Sequence, residues 1–98
     1  MEIGKIRQLV KIGKYHYSNH AKDMMFERSI ADAQVVETIL KGEVLEAYTE
    51  DTRGNSYLVL GEGPLHVIIG YNKYSQKAII ITTYIPESPK WITSRKRG

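Results

Sequence analysis

Apolar positions recur at helical spacing in the first part of the chain and alternate in the second. Ile3, Ile6 and Val10 predict a short helix over 2–12, with Gly13 placed to end it. Tyr15-His16-Tyr17 reads as a short strand-like stretch, and Ser18 or Asn19 is a natural cap for a helix running to Arg28. Val35, Val36, Ile39 and Leu40 predict a third helix, capped at its start by Asp32 and closed by Gly42 in the left-handed conformation. From residue 43 the period is two. Strands are predicted over 44–48, 57–60, 65–71 and 78–85, separated by a turn-rich stretch at 50–55, a Gly-Pro turn at 61–64 and a polar link at 72–77. Pro86 and Pro89 stop the last strand, and Trp91 is expected to fold back as an anchor. Helices first and strands afterwards make an α+β domain: two or three N-terminal helices packed on one face of a four-stranded antiparallel sheet.

The last two strands carry the most information. In one, Leu65, Val67, Ile69 and Tyr71 share a face while His66, Ile68 and Gly70 share the other. In the next, Ile79, Ile81, Thr83 and Ile85 alternate with Ala78, Ile80, Thr82 and Tyr84. If the two apolar rows meet the helices together, His66, Thr82 and Tyr84 gather on the helix-free face around Ile68 and Ile80.

Composition narrows the class. The 98 residues form one domain, 1–98, without repeat or linker and with a basic tail over about 92–98. There is no cysteine, hence no disulfide, thiol nucleophile or Cys-type zinc site. The longest apolar run, Ala78-Ile79-Ile80-Ile81, is far short of the roughly 20 residues of a membrane span. No signal-like apolar stretch opens the chain, so a cytoplasmic domain is expected. The net charge of +3 is unevenly spread: +3 over residues 1–28, −5 over 29–64 and +5 over 65–98. Basic ends that meet in the fold offer a groove for a polyanion such as RNA, with Lys14, Lys22, Lys90 and Arg95 as candidate contacts. The alternative is a solvated surface and a frayed tail.

Several segments, in order, resemble a bacterial family known as domain of unknown function 4258. They are Ser18-Asn19-His20-Ala21 with Met25, Glu27-Arg28 and Ile30; Gly42-Glu43-Val44 with Tyr48; Pro64-Leu65-His66-Val67; and Ile81-Thr82-Thr83-Tyr84 with Pro86 and Trp91. Ser29 stands where that family usually has glycine, and Ala31 where a helix cap is expected. The family is similar to the RelE/ParE-like and BrnT-like toxins of toxin–antitoxin systems. The resemblance implies a RelE-like fold with a curved sheet whose helix-free face is open to RNA. It also implies metal-independent ribonuclease activity without a cofactor, and a cognate antitoxin as partner.

Such chemistry needs a base for the 2′-hydroxyl, positive charge for the phosphorane and an acid for the leaving oxygen. His66 is the acid/base candidate, since imidazole exchanges protons near neutral pH. Arg28 suits a bidentate phosphate contact, Tyr84 a phosphate or base contact, and His20 a second acid/base beside helix N-terminal N–H groups that favour a phosphate. Packing accounts for the same residues without chemistry: His66 as a half-exposed ring bonded to a neighbour, and Arg28 paired with Asp23 or Glu27. A metal site from His16, His20 and His66 lacks helical i, i+4 geometry and a carboxylate at motif spacing. Two readings stand: a ribonuclease toxin, or a catalytically silent domain of the same fold that binds a protein or nucleic acid.

Overall fold

The computed structural model describes residues 2–48, 55–61 and 64–85, and the backbone of 91–93 and 96–97. Three helices, α1 (Ile3–Lys11), α2 (Asn19–Arg28) and α3 (Asp32–Lys41), accompany strands β1 (Tyr15–Tyr17), β2 (Glu43–Tyr48), β3 (Ser56–Leu60), β4 (His66–Asn72) and β5 (Lys77–Tyr84). The sheet has five strands in the order β1-β5-β4-β3-β2. β2 to β5 form the antiparallel meander. The expected four-stranded sheet gains β1, which pairs parallel with β5 through Tyr15–Ala78 and Tyr17–Ile80. A three-residue strand between two helices has too little pattern to declare its partner from sequence. β6 (Trp91–Thr93) and β7 (Lys96–Arg97) pair with each other in a separate ribbon. The anchoring role expected of the Trp91 side chain lies outside the described residues.

Each helix is held by a different device. In α1, Ile6 and Val10 stack one turn apart into the core. In α2 the Ser18 hydroxyl accepts the Ala21 N–H at 3.0 Å and donates to the Ile81 carbonyl at 2.7 Å, fixing the helix start beside β5. The helix closes with Ile30 N–H bonded to Met25 O and Ser29 N–H to Phe26 O, a Schellman motif that holds Ser29 at φ 54°. A serine there carries the Cβ penalty that glycine avoids. α3 begins at Ala31, whose N–H is taken by the Gln34 side chain at 2.8 Å, so Asp32 is the first helical residue and not the cap. Its end corrects another expectation. Gly42 sits at φ −74°, and glycine is needed there for space: a Cβ would lie 2.3 Å from Thr38 O and 2.5 Å from Leu60 O. The exposed carbonyls of this end are met by Arg7 of α1, which donates to Ile39 O at 2.8 Å and to Gly42 O at 2.7 Å.

The core lies between helices and sheet, with Val35 and Ile39 of α3 and Ile6 of α1 against Val59, Val67, Ile69, Ala78 and Ile80. Here the expected phase of β5 fails. Between Ile68–Thr82 and Ile69–Ile80 the register shifts, so Ile81 is an extra residue on β5. This bulge turns Ala78 and Ile80, rather than Ile79 and Ile81, toward the helices before the strand resumes with Thr83 opposite Val67.

Candidate functional site

Beyond the bulge, the strands place His66 directly opposite Tyr84 and Ile68 opposite Thr82, all turned away from the helix side. The His66 and Tyr84 rings stack with centroids 5.4 Å apart and planes 18° from parallel. His66 Nδ1 lies 2.8 Å from Pro64 O, and its own carbonyl accepts the Thr83 hydroxyl at 3.0 Å. His66 is fully buried, and Leu60, its partner on β3, is 8% exposed. Leu58, one pair further along the same face, is 2% exposed. The helix-free face is therefore closed around the histidine, where sequence and resemblance led to a half-exposed ring on an open face.

His20 and Arg28 are exposed on α2, which packs along β5. Eight residues separate them, or about 12 Å along the axis, so they cannot serve one small site together without help from other elements. Among the described residues no hydrogen bond or ring contact joins His20 to His66 or Tyr84. Lys14 leads into β1 and Lys22 lies past it on α2, both exposed. Lys90 and Arg95 lie outside the described residues. His16 faces Ser75, its Nε2 at 3.3 Å from the hydroxyl. No three His, Asp or Glu side chains among the described residues form a group able to hold a metal ion.

The family model for Domain of unknown function (DUF4258) matches residues 17–85. The chain belongs to this family. The match runs from the end of β1 through β5, and so spans α2, α3 and the whole meander. Within the matched range, His66 of the Pro64–Val67 segment and Tyr84 of the Ile81–Tyr84 segment are the stacked pair, and Ser29 occupies its left-handed turn. No curated protein and no solved structure matches the chain. No described helix is long and apolar enough to cross a membrane.

A second constellation escaped the sequence reading. Tyr15 and Tyr17, on the helix side of β1, both donate to the Asp32 carboxylate, Tyr15 at 3.0 and 3.1 Å to its two oxygens. The rings meet edge to face, 6.0 Å apart. Burial first, and then the neighbouring carboxylate, push both phenols above the ordinary tyrosine pKa. The i, i+2 tyrosines were visible as a strand signal, but nothing in the sequence tied them to a carboxylate fifteen residues on.

Proposed function

We propose that this DUF4258 domain is a catalytically silent binding module. One observation carries the reading: the best acid/base candidate, His66, is fully buried, stacked on Tyr84 and held near the Pro64 carbonyl. General acid/base catalysis requires the imidazole within hydrogen-bond reach of the substrate proton, directly or through one water. A ring with no accessible surface does not meet that requirement, whereas it suits a packed, position-defining role.

A second reading is favoured by one feature of the register. The His66–Tyr84 pair unites two residues whose chemistry suits metal-independent RNA cleavage, the activity that the resemblance implies, and α2 carries exposed His20 and Arg28 along β5. In that reading the domain is a metal-independent ribonuclease toxin, held in check by an antitoxin.

Wild type, His20→Ala and Arg28→Ala are incubated with total RNA, and growth is followed on induction. The two substitutions are at exposed sites, so folding is retained. The binding reading expects intact RNA and unchanged growth with all three proteins. RNA degraded by wild type and spared by either variant establishes the toxin reading instead.

A further inference from the structure

Two acid-free stretches of sequence meet at the end of the sheet away from His66. Residues 3–22 contain five Lys/Arg, residues 63–85 contain two, and neither contains Asp or Glu. They are joined by the β1–β5 pairing and by the Ala78 N–H bond to Lys14 O at 3.0 Å. That pairing brings Lys14 next to Lys77, at the start of β5. A groove lined by Lys5, Gln8, Leu9, Ile12, Tyr71 and Gln76 runs from α1 to the β4–β5 turn. Lys5, Lys14, Lys73 and Lys77 are all exposed, and among the described residues none pairs with a carboxylate.

The turn itself is rigidly made. Asn72 accepts the Tyr74 N–H at 2.9 Å and the Ser75 N–H at 3.3 Å through its side chain, and its carbonyl takes the Gln76 N–H at 2.8 Å. On this fixed turn Tyr74 is 88% exposed, with Lys73 Nζ 5.4 Å from its ring centroid. Ile12, in the groove, is 61% exposed. Neither side chain belongs to the buried core. An exposed ring on a fixed turn, amid unneutralised lysines, matches the demands of an unstacked base next to phosphates.

We propose that the groove between α1 and the β4–β5 turn, together with the turn itself, binds single-stranded nucleic acid, with Tyr74 stacking a base and Lys5, in the groove, and Lys73, beside the Tyr74 ring, meeting backbone phosphates. The inference rests on the binding reading, naming its ligand and placing it some 20 Å along β4 from His66. Base stacking on an aromatic residue tolerates any sequence, and the phosphate contacts make affinity fall with salt.

The test is fluorescence-anisotropy titration of a labelled twelve-nucleotide oligouridylate at two salt concentrations, using wild type, Tyr74→Ala and Lys5→Gln/Lys73→Gln. Tyr74→Ala is expected to weaken binding about ten-fold or more. The double lysine variant is expected to weaken it and to flatten the salt dependence by about 0.7 log unit per lost phosphate contact. Three results overturn the proposal: no binding at low salt, variants that bind like wild type, or polyglutamate competing as well as unlabelled RNA. The last would make the groove a surface for an acidic protein. RNA cleavage by wild type would break the binding reading instead, and is seen separately as loss of oligonucleotide length.

Discussion

The two ends of the β4–β5 hairpin contain the same kinds of residue and use them in opposite ways. At the open end of the hairpin a fully buried histidine stacks on a half-buried tyrosine, with Leu60 paired beside it. At the turn a tyrosine stands almost wholly in solvent with Lys73 beside its ring, while His16 on the neighbouring strand meets the Ser75 hydroxyl. Residue type alone therefore says little about role. Accessibility separates the two tyrosines: Tyr84 stacks on a buried imidazole, whereas the Tyr74 ring meets solvent.

The largest expected effect tests the buried end. His66→Ala removes a fully buried ring, and urea unfolding should show a loss of about 3 kcal/mol. A loss under about 1 kcal/mol would mean that this end is loosely packed and that the contrast is overstated. Next comes Arg7→Met, which keeps the aliphatic stem and deletes two charge-assisted bonds at the end of α3. Here about 2 kcal/mol is expected in the same assay.

A smaller effect lies at the start of α3. Asp32→Asn should cost about 1 kcal/mol, because the acceptor of two phenols loses its charge while keeping one oxygen. Its pH counterpart has a definite sign. The folded phenols bind protons more tightly than unfolded ones, so their contribution is intact below the ordinary tyrosine pKa of about 10 and is lost as pH rises beyond it. Thermal melts of wild type and Tyr17→Phe between neutral and alkaline pH check this: the variant should lose less stability on the alkaline side.

Ser29→Gly should raise stability by about 1 kcal/mol, since the left-handed turn then carries no Cβ. Smallest of all, Tyr74→Ala should leave the unfolding midpoint unchanged within about 0.5 kcal/mol. A larger loss would show that the exposed ring supports the fold, and the comparison between the two ends would collapse.

Much of this architecture was legible in the chain. The helices and the meander strands follow from the change of period after Gly42, because side-chain direction repeats at 3.6 residues in one case and 2 in the other. Ser29 lies in the left-handed region, which gives a physical reason for the glycine that the resemblance leads one to expect there. What remained hidden depends on single-residue events or distant contacts. One extra residue at Ile81 exchanges the faces of β5, so alternation misassigned Ile80 while still setting His66 near Tyr84. The burial of His66 depends on how Leu60 and Tyr84 pack around it, and alternation cannot report accessibility. The Arg7 bonds span 32 and 35 residues and the Asp32 bonds 17 and 15, beyond any local pattern.

The Ser18 hydroxyl ties a local event to a remote one. It caps the first turn of α2 and also binds a carbonyl of the last meander strand, 63 residues away. A ten-residue helix has little stability of its own in water. During synthesis, the N-terminal third of the chain emerges before the strand that secures it. α2 should accordingly stay frayed until β5 has joined the sheet, and its amides should gain hydrogen-exchange protection together with those of β5 rather than with those of α1.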